Sequence, residues 1–226
     1  MKKTGIIAGA GDFNEVACRE LIREKKRENI LLLAADAGIQ HFFHMQEKEP
    51  VGEKYLPDWI IGDFDSIHQE CWEKIENYGL TEKVIQLPRE KDDTDILAAL
   101  HLGMKEGCQE FHLFGGTGGR LDHTIANIQC LTYLAELGNR GYLHGKEELL
   151  TVIRDETVTF PEGSHGIISV FCLGDEAQGV TLKGLKYPLQ DYTMKKTVPI
   201  GVSNEFMGKE ASVTVKRGIL LIVLQI

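Results

Sequence analysis

Pro57-Asp58-Trp59-Ile60-Ile61-Gly62-Asp63-Phe64-Asp65-Ser66 is the stretch on which the reading of this chain turns. A short apolar run ends in glycine and then presents two aspartates one residue apart. In a strand, residues i and i+2 point to the same side, so both carboxylates can converge where a buried strand emerges from a sheet. At ~4 Å and an effective dielectric of ~20, two bare carboxylates repel by about 4 kcal/mol. A divalent cation, a shared proton or side chains splayed into water must offset that repulsion.

Around this stretch, up to about residue 145, short β-like runs alternate with helix-like segments, the order expected of a parallel α/β sheet. Strands are expected at 5–8, 30–34, 59–61, 84–87, 111–114 and 142–144, and helices at 14–26, 38–45, 69–78, 94–105 and 122–137. Ile96, Leu97, Leu100 and Met104 recur at helical spacing, as do Ile125, Ile128, Leu131, Leu134 and Ala135, and both stripes read as core. Gly145-Lys146-Glu147-Glu148 reads as a linker, and no helix pattern follows it. Alternating and β-branched runs at 151–153, 157–160, 167–172, 180–182, 211–215 and 219–224 predict an all-β sandwich or barrel. The expectation is an α/β domain over 1–145 with a mostly parallel sheet, then an all-β domain over 146–226.

Composition limits the function. The 226 residues are 42% hydrophobic and carry a formal net charge of −9 without any Lys/Arg stripe, which argues against a nucleic-acid surface. No apolar run approaches the ~20 residues of a membrane span, and the apolar stretch near the start is too short for a signal peptide. A cytoplasmic location is the expectation. The five cysteines are scattered without a C-x-x-C pair, so neither a zinc site nor a disulfide framework is suggested. An acidic pocket can still hold a polyphosphate if Mg²⁺ lies between the two.

The chemistry gathers after the expected strands. These lead in turn into Gly9-Ala10-Gly11-Asp12, Asp36-Ala37-Gly38, Gly62-Asp63-Phe64-Asp65, Asp92-Asp93-Thr94-Asp95 and Gly115-Gly116-Thr117-Gly118-Gly119-Arg120. In a parallel sheet all five loops lie on one edge, where such folds bind ligands. The first loop lacks the third glycine of a dinucleotide fingerprint and reads as a tight turn; no P-loop motif occurs. In the last loop, four glycines in five residues leave backbone N–H groups unshielded just before a helix, an anion site. Arg120 adds a fork suited to phosphate. One carboxylate of the 92–95 run could cap the helix that follows, and the run holds more acids than a cap needs. Lys91 and Arg89 could meet phosphates. Of the histidines only His123, inside the glycine-loop motif, is a candidate for substrate contact.

Assembled, these loops resemble the thiamine pyrophosphokinase family. The matching residues are Asp36-Ala37-Gly38, Gly62-Asp63-Phe64-Asp65-Ser66, Lys91-Asp92-Asp93-Thr94-Asp95, Gly118-Gly119-Arg120-Leu121-Asp122-His123, Gly184-Leu185-Lys186-Tyr187-Pro188-Leu189 and Ser203-Asn204-Glu205. The resemblance implies a Rossmann-like three-layer α/β domain that binds ATP and a C-terminal β-sandwich. It also implies a homodimer with thiamine sites at the subunit interface, and the Mg²⁺-dependent reaction of ATP with thiamine to give AMP and thiamine diphosphate. On that reading Asp63, Asp65 and Asp95 hold Mg²⁺ against the phosphates, and Asp92 is a water-mediated ligand or the acceptor of the thiamine hydroxyl proton. Arg120 and the amides of Gly115, Gly116, Gly118 and Gly119 stabilise the charge developing as AMP leaves. Asp36, Lys91, Thr94, Asp122 and His123 are expected nucleotide-side contacts, with thiamine also possible for Asp36, Thr94 and Asp122; Ser203 and Asn204 are expected thiamine contacts. The alternatives are a pyrophosphokinase for another alcohol such as a pterin, an aspartyl phosphatase using Asp63-Phe64-Asp65, and a non-catalytic nucleotide or thiamine sensor.

Overall fold

The computed structural model describes residues 3–50, 54–65, 67–90 and 92–225; Ser66 and Lys91 of the expected motifs lie outside the described residues. The strands fall into a large mixed sheet and a four-stranded antiparallel sheet. The chain divides into two compact units, residues 1–130 with 143–146 and residues 131–142 with 147–226.

In the first unit β1 (Lys3–Ala8), β2 (Ile30–Ala35), β3 (Trp59–Gly62) and β4 (Val84–Gln86) lie side by side in chain order, all parallel. β5 (Cys108–Phe114) does not extend this row. It pairs in parallel with the other side of β1; β6 (Arg140–His144), later in the chain, is divided between the two units. Strand order therefore reverses between β1 and β5, and the loops leaving these two strands flank the switch point.

All six residues of β2, Ile-Leu-Leu-Leu-Ala-Ala, are buried, because helices cover both faces of a parallel sheet. On one face Ile6, Ala8, Leu32, Ala34 and Ile60 share a core with side chains of α1 (Glu15–Lys25), α2 (Ile39–Lys48) and α3 (Gln69–Asn77). The other face takes α4 (Asp95–Lys105), which packs so closely that a Cβ on Gly103 would come 2.6 Å from the Phe111 ring. A fifth helix, α5 (Leu121–Glu136), begins just after the long glycine loop.

The second unit is built from β7 (Glu148–Arg154), β8 (Thr157–Phe160), β9 (Ile167–Cys172), β10 (Glu176–Lys183), β11 (Leu189–Lys195), β12 (Gly201–Glu205), β13 (Ala211–Thr214) and β14 (Ile219–Gln225). β7, β14, β9 and β12 pair in that order, as do β11, β10, β13 and β8, every pair antiparallel. Ile168, Val170, Leu220 and Ile222 from the first set share a core with Val180, Leu182 and Val213 from the second. β11 and β12 were not expected from sequence. Each ends its row; β11 is largely exposed and β12 buries only Gly201 and Asn204, so neither carries the apolar alternation that marks a half-buried strand.

All five cysteines are buried and free. Among the described residues no helix is long and apolar enough to cross a membrane.

Candidate active site

The loops after β1 and β5 are interlocked backbone to backbone. Gly9 N donates to Phe114 O at 2.7 Å, Gly11 N to Gly115 O at 2.8 Å, and Asp12 N to Thr117 O at 2.8 Å. No side chain fits between them: a Cβ on Gly115 would overlap the Gly9 carbonyl oxygen, and one on Gly11 would overlap that of Thr117. Gly115, Gly118 and Gly119 also take positive φ (66°, 80° and 65°), a conformation that costs glycine little. Sequence reading placed the 9–12 turn among the five loops on the ligand-binding edge but gave it no contact of its own; here its backbone fixes the 115–117 segment.

Asn127 of α5, another residue the motifs did not single out, is buried and donates through Nδ2 to Gly116 O at 2.7 Å. The carbonyls of Gly115, Gly116 and Thr117 are thus all turned onto protein donors. Because a trans peptide points its C=O and the next N–H in opposite directions, the N–H groups of Gly116, Thr117 and Gly118 face away from those donors. A cavity of about 410 Å³ lies here, lined by both glycine loops, Asp36, Thr94, Asp95, Arg120, His123 and Asn127. The N-terminal ends of α4 and α5 both reach it, and their dipoles favour an anion.

Arg120 and Asp122 form an exposed two-pronged pair, Nη2 to Oδ2 at 2.6 Å and Nε to Oδ1 at 3.2 Å. The Arg120 hydrogen bonds hold the Asp122 carboxyl below its usual range. Asp122 Oδ1 also accepts from His123 N at 3.0 Å, at the start of α5. In the 92–95 run the helix cap is Thr94, whose hydroxyl accepts from Leu97 N at 3.2 Å. The carboxylates beside it are therefore not needed for capping.

Asp36 and Phe64 both sit in left-handed backbone (φ 50° and 61°), Phe64 with its ring buried. Such conformations on non-glycine residues concentrate at functional sites. The turn at Phe64 lets Asp65 N donate to Asp63 Oδ1 at 3.3 Å, with Asp65 exposed. Asp36 backs onto the start of this loop, since a Cβ on Gly62 would lie 3.0 Å from the Asp36 Cα. Asp63 lines a hollow with Trp72, Leu87 and Arg89, whereas Asp95 lines the glycine-loop cavity. Among the described residues no three acidic, histidine or cysteine side chains converge closely enough to hold a metal ion by themselves, Asp63, Asp65 and Asp95 included. The donors present are all carboxylates, a hard-oxygen set. Mg²⁺ is ordinarily held by one or two carboxylates plus substrate phosphates rather than by an all-protein cage. The residues fit Mg²⁺ on those terms.

In the second unit the β12–β9 register breaks between Gly201 and Asn204, and Ser203 takes a positive φ of 58°. Such bulges re-aim side chains, and Ser203 is left exposed while its N–H donates to Ser169 Oγ at 3.0 Å. Asn204 is different. It is buried, accepts from the Tyr187 and Glu205 N–H groups and donates to Tyr187 O at 2.7 Å. Its amide is committed to holding the backbone at Tyr187, a residue that is 59% exposed.

The site is an amide-lined cavity at the switch point of a doubly covered parallel sheet, flanked by carboxylate loops, which is where sheets of this class take anionic ligands. Two family descriptions match this chain: "Thiamin pyrophosphokinase, catalytic domain" over residues 22–142 and "Thiamin pyrophosphokinase, vitamin B1 binding domain" over residues 155–220. The chain belongs to the thiamin pyrophosphokinase family. It is 29% identical over 176 residues to a thiamine pyrophosphokinase of Bacillus subtilis, covering 74% of this chain and 78% of that protein. It is 27% identical over 216 residues to thiamine pyrophosphokinase 1 of Arabidopsis thaliana, covering 82% and 74%. The fold matches the crystal structure of the Bacillus subtilis protein with a TM-score of 0.84 at 24% identity over 99% of both chains. It also matches that of thiamin pyrophosphokinase from Candida albicans with a TM-score of 0.80 at 14% identity, over 99% of this chain and 90% of that one.

Proposed function

We propose that the switch-point cavity receives the polyphosphate of ATP and that the chain transfers its pyrophosphoryl group to the hydroxyl of thiamine, giving AMP and thiamine diphosphate. The observation that carries this is the pair of interlocked glycine loops, whose carbonyls are taken up by protein donors so that successive amides are turned the other way. The doubly wound, Rossmann-like description of residues 1–145 rests on the strand reversal between β1 and β5 and on helices covering both faces. Residues 146–226 are the thiamine-binding part, a role supported by the vitamin B1 binding match within them.

The thiamine hydroxyl oxygen bonds to the β-phosphorus of ATP as the bond from that phosphorus to the α–β bridging oxygen breaks, and AMP departs with that oxygen. Asp92, exposed beside the cavity-lining Thr94 and Asp95, accepts the hydroxyl proton. Arg120 and the 116–118 amides meet the charge that builds on the phosphates, while Asp122 and His123 orient the Arg120 side. Asp36 and Thr94 line the cavity as further polar contacts, and Lys91 is a phosphate contact by motif. Asp63, Asp65 and Asp95 would hold Mg²⁺ together with the phosphates; the ion supplies charge neutralisation and geometry. Ser203, re-aimed by its bulge, contacts thiamine, and Asn204 serves by fixing Tyr187 beside it.

The working form is a homodimer, a reading supported by the exposed apolar side chains of Tyr187, Val198, Ile200, Val202 and Met207 in the second unit. Free, buried thiols accord with a cytoplasmic site of action. The test is incubation of the pure protein with ATP, Mg²⁺ and thiamine, resolving products by chromatography. Equal AMP and thiamine diphosphate, abolished by EDTA or by omitting thiamine, is the expected result. ADP with thiamine monophosphate would overturn it, and so would no turnover with thiamine but turnover with another alcohol.

A further inference from the structure

Asn127 goes against helix preference. Asparagine is a weak former of helix interiors because its amide competes for nearby backbone groups, yet it stands inside α5. Of residues 121–130 only Asn127 and Cys130 are buried, Asn127 to 3% exposure. Its Nδ2 donates to Gly116 O at 2.7 Å. A carbonyl oxygen only accepts, so the amide nitrogen, not its oxygen, must face Gly116. The fit is tight on two sides: a Cβ on Gly116 would come 2.9 Å from that nitrogen and 2.8 Å from the Leu143 side chain. The flanking carbonyls, Gly115 O and Thr117 O, are held from the first loop by Gly11 N and Asp12 N. Gly116 O lies between them and is held by a side chain.

We infer that Asn127 is a positioning residue for the phosphate cradle: its amide fixes the Gly116–Thr117 peptide so that the Thr117 N–H is turned toward the cavity. This deepens, and rests on, the reading of the cavity as the ATP-phosphate site. A trans peptide carries its C=O and its N–H on opposite sides, so a donor on the carbonyl sets the direction of the amide. Glycine tolerates most backbone angles, so residue 116 does little by itself to hold that peptide in one orientation. An aspartate of the same shape at 127 would act in two ways. Ionised, it repels Gly116 O; protonated, it offers an O–H in place of the lost N–H. Burial favours the protonated form of a carboxyl, which brings the change between the two states into the range of an activity assay.

The test compares the wild-type protein with Asn127→Leu, which removes the donor at similar volume, and with Asn127→Asp. For Asn127→Leu the expected result is a KM for ATP raised about fivefold, the worth of one hydrogen bond, with the KM for thiamine near wild type. Amide hydrogen exchange at Gly11 and Asp12 should be faster, because the carbonyls they hold flank a peptide that is no longer fixed. Asn127→Asp should be at least as impaired at about pH 8 and should recover toward wild type, measured at the same pH, as the assay is taken to about pH 5.5. Asn127→Leu should show no such recovery, which a merely structural role for residue 127 would not separate. If Asn127→Leu does not fold, the recovery of Asn127→Asp decides alone. An unchanged KM for ATP in Asn127→Leu would overturn the inference, and so would an Asn127→Asp protein that shows no recovery across that range. If the wild-type protein makes no AMP, the reading of the cavity fails by itself and the exchange rates decide: faster exchange upholds the hold of Asn127 on the loop, and unchanged exchange removes it.

Discussion

The glycine cradle and the carboxylate loops of the first unit adjoin each other and are built by opposite means. The cradle is backbone against backbone: three main-chain hydrogen bonds and an Asn127 amide fix it, and glycine is present because a Cβ would collide. The carboxylate loops are side chains on short turns, with Asp65 and Asp92 exposed and no closed cage among the described residues. A rigid amide surface can be formed before its ligand arrives. Carboxylates drawn together cannot, because without a cation their mutual repulsion favours a shared proton or side chains splayed into water. Substitutions in the cradle should therefore damage folding and function together, and substitutions in the acid loops should damage function alone.

Asp65→Asn gives the largest expected contrast. Turnover should fall a hundredfold or more, on the order of what a lost catalytic charge costs, with the thermal midpoint at or above that of wild type. Wild-type-like turnover would remove Asp65 from the metal site and leave the comparison without its acidic half. Gly115→Ala should do the reverse in stability. Its φ of 66° and the Gly9 carbonyl oppose a methyl group, so urea denaturation should show a loss of about 2 kcal/mol or more, with ATP affinity falling as well. A Gly115→Ala protein of normal stability would mean that the loops are less tightly locked than their geometry indicates.

The smallest effect concerns the floor of the cradle, where the His144 ring stacks on Phe114 beside Gly115. Burial, then the neighbouring His112, pushes His144 down to about 3, and hydrogen bonding from His112 with help from Lys25 pushes Glu110 down to about 2. For each group the unfolded chain binds the proton more tightly, so its contribution is complete above the unfolded pKa and is lost as pH falls. For His144 the loss begins near ~6.5, and for Glu110 near ~4.5. Stability should decline from about pH 6.5 downward, at up to ~1.4 kcal/mol per pH unit for each titrating group. His144→Leu should flatten the part of that decline between pH 6 and 5. An equally steep decline in the variant would exclude His144 as its source.

Much of this was legible along the chain. The apolar runs at β1, β2 and β3 and the helical stripes of α4 and α5 were expected because burial imposes a period on sequence. Glycine and aspartate density marked the loops at 9–12, 36–38, 62–65, 92–95 and 115–119, because few other residues supply bare amides or hard oxygens. β11 and β12 escaped because strands at the end of a row bury little, and the one register break in β12 serves Ser203 rather than the core. The hold of the 9–12 loop on the 115–119 loop, and the part of Asn127, escaped for another reason. Each acts on a segment far away in sequence, Gly11 on Gly115 and Asn127 on Gly116, through hydrogen bonds that leave no local period.

The sequence by itself determined every strand and α-helix but β11 and β12, the chemical types in the loops and the family, because periodicity and motif composition are local properties of the chain. Tertiary structure alone decided that β5 crosses back to pair with β1. That pairing sets two glycine loops, more than one hundred residues apart, against each other at the switch point and turns the Gly115 and Thr117 carbonyls onto N–H groups of the first loop. No local rule dictates the choice, since strand order is settled by which faces the intervening helices can bury, and the anion site exists only once that choice is made.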